Sequence, residues 1–210
     1  MGHRVITIGR EFGSEGKAIG IKLAERLGVK CYDKELITVA AEQSGLCEDV
    51  FEAHDERPMN SFFYSLALDA AHGLGAAVNS GYMDTPLNQK VFLAQFEAIQ
   101  KLAAQEDCVI VGRCADYALE GHDNLISVFI SADMDDKVKF VTENYDISKD
   151  KAIDFIAKSD KKRANYYNYY SNKKWGSAAT YDLCINRSKV GIDGAVEIIL
   201  NFIKAVEGQA

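Results

Sequence analysis

Proline is nearly missing from this chain, at 2 of 210 residues, and glycine contributes only 16. That is too little of either for a collagen-like or low-complexity protein. No apolar run approaches the roughly 20 residues that a membrane-crossing helix needs. Met1 to Gly9 has no signal-peptide core and reads as a strand. Nothing points to secretion or to a membrane partner, and the expected compartment is the cytoplasm. Positive charge is in deficit: 24 Lys and Arg against 31 Asp and Glu leave a net charge of −7. Such a balance argues against nucleic acid as a partner, because phosphate neutralisation needs a basic face. There is no Cys-x-x-Cys, and His3, His54, His72 and His122 are scattered without ligand spacing, which argues against zinc. The five cysteines are odd in number, and Cys31, Cys108 and Cys184 sit in or beside apolar runs. They read as buried thiols of a reducing compartment.

What remains is ordinary globular material, 48% apolar and 26% charged. The length fits one domain, or one domain with a small insertion. Arg4 to Ile8 is a β-rich run that enters a glycine-bearing loop. From Gly16 the period changes: Ile19, Leu23 and Leu27 recur on one helical face, and Gly28 stops it. Val29 to Tyr32 is a second strand, after which Asp33 is placed to cap a helix carrying Leu36, Ile37 and Ala40. Residues 48 to 84 are irregular and read as an inserted helical flap. Thr85-Pro86 is a good helix start, and Leu87, Phe92, Phe96, Ile99 and Leu102 form the stripe of that helix. Cys108 to Gly112, Leu125 to Ile130 and Asp182 to Asn186 are further strands. Ser148 is placed to cap a helix whose apolar side is Ile153, Phe155 and Ile156, and Ile192 to Val206 closes the chain as a helix. Strands alternating with helices predict an α/β fold with a mostly parallel sheet.

The loop Gly9 to Ala18 lies between the first strand and the first helix, the context that a phosphate-binding loop requires. Glycines let backbone N–H groups turn onto an anion, and the helix N-terminus adds its positive dipole end. Gly13, Ser14, Glu15, Gly16, Lys17 and Ala18 are the candidate nucleotide contacts, with Lys17 reaching the β/γ phosphates. The match to G-x-x-x-x-G-K-[ST] is partial. Glu11 stands where the first glycine belongs, and Ala18 replaces the hydroxyl residue that usually binds Mg²⁺. The metal ligand is therefore open, with water or Ser14 as candidates. Glu11 and Glu15 beside a triphosphate need pairing with Arg10 or a role in holding the metal. The plain alternative is a glycine-rich turn that merely packs closely.

Arg10-Glu-Phe-Gly-Ser14, Tyr32-Asp-Lys-Glu-Leu-Ile37, Val109-Ile-Val-Gly-Arg-Cys-Ala-Asp116 and Tyr181-Asp-Leu-Cys-Ile-Asn186, in this order, resemble the cytidylate kinase-like family of bacterial P-loop proteins. The resemblance implies a P-loop NTPase-like three-layer fold with a five-stranded parallel sheet, a helical flap that binds a nucleoside monophosphate (about 48–84) and a helical lid (about 148–175). It implies ATP and Mg²⁺ as cofactors, and transfer of the γ-phosphoryl group to a nucleoside monophosphate, most naturally CMP or dCMP. Two alternatives stay open: a kinase of another small metabolite, and a nucleotide-binding sensor without turnover. Oligomeric state is not legible. Phe62-Phe63-Tyr64 is the stretch to consider for a homodimer interface.

Ligands of open α/β sheets bind at the carboxyl ends of the strands. Arg113 is therefore expected in the cleft, gripping the acceptor phosphate through its planar guanidinium. The plainer role pairs it with Asp116 or another carboxylate. Asp33 falls in the region that meets the acceptor in the family. Arg163 and Lys162 lie where lid cations would stabilise the migrating phosphoryl group, and Lys173 and Lys174 are further candidates. Asp160 is expected to form only a surface pair with Arg163. Tyr166, Tyr167, Tyr169 and Tyr170 are expected to pack the lid onto the body.

Overall fold

The computed structural model describes residues 3–45, 49–50 and 87–208. The flap expected over 48–84 lies outside the described residues except for 49–50, as do Phe62 to Tyr64 and the Thr85-Pro86 helix start. In chain order the elements are β1 (Val5–Arg10), α1 (Gly16–Leu27), β2 (Lys30–Tyr32), α2 (Glu35–Ser44), α3 (Leu87–Gln105), β3 (Cys108–Val111), α4 (Ala115–Ala118), β4 (Leu125–Ser131), α5 (Met134–Asn144), α6 (Lys149–Ser171), β5 (Leu183–Asn186) and α7 (Arg187–Glu207). The strands form one five-stranded sheet in the order β2-β3-β1-β4-β5, and every pairing is parallel. The five-stranded parallel sheet is as expected.

Parallel neighbours need crossovers, and the helices supply them on both faces. The pleat sorts side chains between two cores. Val5, Cys108 and Ile110 face the layer of α2 and α3, with Leu36, Ile99 and Leu102. Ile6, Ile8, Val109 and Val111 face the layer of α1 and α7, with Ile19, Leu23 and Ile199. Each of these fully buried aliphatic side chains contributes on the order of 1.5–3 kcal/mol. Two smaller clusters dock α6. Tyr166 and Tyr167 join Phe92, Cys114, Phe129 and Tyr181, while Ile156 and Ala152 join Val138 and Val141 of α5.

Several local expectations need correction. Ile153 is exposed, so the buried stripe of α6 runs through Ala152 and Ile156 instead. Leu87 is exposed at the first turn of α3. Ser148 occupies the N-cap position of α6, but its side chain makes no capping hydrogen bond. Asp33 is not a cap at all: α2 begins at Glu35 with Lys34 at its N-cap. Cys184 is exposed because β5 is an edge strand. Cys31 is half-buried, and burial pushes its thiol up to about 11.

Close approach fixes one glycine of the first loop. A Cβ on Gly16 would lie 2.5 Å from Cβ of Arg10 and 3.1 Å from its Cγ. Gly16→Ala is expected to cost about 1–3 kcal/mol through overpacking, read as a lower urea midpoint. An unchanged midpoint would show that Arg10 yields.

Candidate active site

Sheet order brings the candidate residues together. β2, β3 and β1 are neighbours, and Asp33, Arg113 and Arg10 sit at or just beyond their carboxyl ends. Lys17 comes from the first turn of α1. The turn after β3 is unusual: Gly112, Arg113 and Cys114 are all left-handed, at φ 78°, 54° and 54°. Two successive non-glycine residues in that region carry strain. The turn folds Arg113 back, so that Nη1 donates to Asp33 Oδ1 at 3.0 Å and to the Val111 carbonyl at 3.1 Å.

Asp33 gathers the site. Besides Arg113, its carboxylate meets Lys17 Nζ at 2.9 Å and Arg10 Nη2 at 3.9 Å. Burial alone would raise its pKa, but Arg113, Lys17 and Arg10 together outweigh burial and hold it below the ordinary value. The hydrogen bond to Asp33 in turn raises the Lys17 ammonium. Three cations thus converge on this one carboxylate. These residues line an open cleft of about 360 Å³ together with Gly13, Glu15, Gly16 and Arg163. Arg113 is thus paired with a carboxylate, but the partner is Asp33. Asp116 takes the Tyr167 hydroxyl instead, and burial raises its pKa.

The two loop glutamates line the cleft, each paired with a cation that the sequence reading missed. Lys137, on α5 and almost fully buried, places Nζ 3.1 Å from Glu11 Oε2 and 2.8 Å from Asp160 Oδ2. The same Asp160 accepts the Phe12 N–H at 2.6 Å, and Glu11 also accepts the Ala132 N–H. Asp160 therefore reaches inward rather than lying at the surface. Arg187, in the first turn of α7, pairs with Glu15 at 2.7 Å. Neither glutamate pairs with Arg10 in these bonds. Both cations left a trace in the sequence. Lys137 lies on the same helical stripe as Val138 and Val141, where an apolar residue is normal. Arg187 stands at a helix N-terminus, against the dipole.

Of the remaining candidates, Ser14 is buried and its hydroxyl donates to the Glu11 carbonyl, turned from the cleft. Ala18 lies in α1 outside the cleft lining. Arg163 is in the cleft: Nη1 donates to the Arg10 carbonyl and the guanidinium sits 5.4 Å from the centre of the Phe12 ring. Lys162 is on the exposed side of α6. Lys173 pairs with Glu120. Tyr166 and Tyr167 are buried, and Tyr170 stacks on Phe92 at 3.8 Å, but Tyr169 is exposed. A polyphosphate fits the cationic cleft. Among the described residues no group of three or more His, Cys, Asp or Glu could hold a metal by itself. Mg²⁺ normally uses one or two carboxylates plus substrate phosphates; among the described residues Glu11, Glu15 and Asp33 are the carboxylates that line the cleft.

Two outcomes follow from these contacts. A carboxyl held below its ordinary value contributes stability that is present above that value and lost as pH falls through the depressed one. Asp33→Asn should therefore flatten the fall in melting temperature below about pH 4; an unaltered acid limb would show that the three cations do not act through Asp33. Lys137→Met leaves Glu11 and Asp160 without their cation and should cost about 3–5 kcal/mol. Adding Glu11→Gln and Asp160→Asn should restore most of it in denaturant unfolding; a triple variant as unstable as the single one would assign the loss to packing.

Comparison with known proteins agrees with this architecture. A solved structure, an uncharacterized protein from Eubacterium ventriosum ATCC 27560, is 32% identical over 96% of this chain and 99% of its own, with a TM-score of 0.70. Shikimate kinase from Bacteroides thetaiotaomicron shares the fold at 16% identity, covering 96% of this chain and 98% of its own, with a TM-score of 0.52. No curated protein matches the sequence. Residues 5–189 match the model of the cytidylate kinase-like family. With its parallel sheet, phosphate loop and cationic cleft carried on that matched segment, the chain belongs to the cytidylate kinase-like family.

Proposed function

We propose that this protein transfers the γ-phosphoryl group of ATP, with Mg²⁺, to a nucleoside monophosphate, CMP or dCMP first among them. Family and fold support a kinase of the P-loop type. The observation that carries the reading is the cluster of Arg10, Lys17 and Arg113 around Asp33, with Arg163 in the same cleft beside the loop glycines. Phosphoryl transfer asks little covalent work of a protein; it asks for positioning and positive charge. In this reading Lys17 leaves Asp33 for the donor phosphates, Arg163 stabilises the migrating group, and Arg113 holds Asp33 in place while sharing the acceptor's charge.

One observation favours a second reading, transfer to a hydroxyl of another small metabolite. Asp33 is anionic at the acceptor side, and Arg113, 3% exposed in its side chain, is already committed to it. A carboxylate repels an acceptor phosphate but accepts a hydroxyl hydrogen. ADP release measured with a panel of nucleoside monophosphates and of phosphate-free alcohols separates the two. ATP binding without release for every acceptor would favour a sensor.

The variants sharpen the test. Lys17→Ala should weaken ATP binding and remove most transfer. Arg163→Ala should lower kcat by roughly 10²-fold, the usual loss of one preorganised charge donor, with ATP affinity little changed. Wild-type binding and turnover in Lys17→Ala would sink the phosphate-loop assignment. Wild-type kcat in Arg163→Ala would remove that residue from the chemistry.

A further inference from the structure

The cleft has a second wall that phosphate chemistry does not explain. Besides the cations, Phe12, Phe140 and Tyr145 line it. Phe12 lies within the phosphate loop, where a bulky ring serves no phosphate. Its centre is 5.4 Å from that of Tyr145 and 5.2 Å from that of Phe155. Tyr145 also stands 6.3 Å from Phe140 and 6.2 Å from Phe155. Three rings thus support Tyr145 from within, yet it keeps 43% of its surface exposed. A ring placed only to pack α5 against α6 would be buried, as Ile156 and Val141 are at that same junction. Arg163 over Phe12 fixes the inner end of the wall beside the phosphate loop.

An aromatic surface, pre-supported and exposed, contiguous with an anion site in a cleft of about 360 Å³, matches a ligand with a flat ring at one end and phosphate at the other. We infer that the wall formed by Phe12 and Tyr145 is a stacking subsite for the nucleobase of a bound nucleotide. The inference rests on the nucleotide-binding reading above. The base belongs to the donor or to the acceptor, and the shared chemistry is π-stacking, tolerant of base identity because every base presents a π-face. Tyr145 is a binding residue here, and the loop cations are left to the phosphates.

The test is calorimetric titration of the full chain with ATP, CMP and inorganic tripolyphosphate. The proteins are the wild type, Tyr145→Leu and Tyr145→Phe. Leucine keeps apolar bulk at a half-exposed position and removes the ring; its backbone N–H still closes α5 on the Val141 carbonyl. Tyr145→Leu should bind at least one nucleotide about tenfold more weakly, as loss of one stacked base commonly gives, with tripolyphosphate affinity unchanged. Tyr145→Phe should restore it. Loss for ATP alone assigns the donor base, and loss for CMP alone assigns the acceptor base. The inference is overturned if Tyr145→Leu binds every nucleotide as the wild type does, or if tripolyphosphate weakens in proportion, which would mean a distorted loop. It is equally overturned if wild-type protein binds tripolyphosphate as tightly as ATP and CMP. Wild-type protein that binds none of the three overturns the phosphate-loop reading itself.

Discussion

A buried lysine ammonium has to be answered by carboxylates, and most of this site's geometry follows from how Lys137 is answered. Its two partners come from different places: Glu11 from the phosphate loop and Asp160 from the middle of α6. Satisfying one cation therefore ties the loop to the long helix that overhangs it. The Phe12 N–H on Asp160 and the Ala132 N–H on Glu11 complete the arrangement. Removing a member exposes the others to the full penalty of an unpaired buried charge. The loop is thereby held in shape by the body of the protein, and the charge of Glu11, which lines the cleft, is offset by Lys137. The lid expected from about residue 148 begins at α6, which meets the body at Asp160 and again at Tyr166 and Tyr167.

Asp33 shows the complementary principle. Its three cations differ in burial: the Lys17 side chain is 51% exposed, those of Arg10 and Arg113 only 12% and 3%. They converge on one carboxylate, which offsets part of their mutual repulsion. An incoming anion competes with Asp33 for the same cations, so binding exchanges one ion pair for another rather than creating charge contacts from nothing.

The layered α/β fold was legible because buried parallel strands write themselves as short apolar runs such as Cys108 to Val111. The loop between the first strand and the first helix was legible from its glycines and the change of period around it. Arg113 and Asp33 were picked out singly, but their pairing was not, because it spans 80 positions and depends on β2 and β3 being neighbours. Lys137 and Arg187 were missed for a related reason: each looks like an ordinary helix cation until the acid it neutralises arrives from a distant loop. The helix caps failed on local chemistry. Asp33 and Ser148 are suitable capping residues, but a tertiary ion pair outbids a cap at the first, and the second holds its position without the bond.

The left-handed turn after β3 sends adjacent side chains to opposite sides. Arg113 goes to the cleft, while Cys114 enters the aromatic cluster with Phe129 and Tyr181. The chain's single tryptophan, Trp175, packs edge-on against Phe129 at 5.1 Å and shares the wall of a small cavity with Arg10, Arg113 and Arg163. The indole and three guanidinium groups thus border one cavity. Tryptophan fluorescence is therefore the label-free signal to record while the cationic cleft is titrated, from a position outside the cleft's own lining.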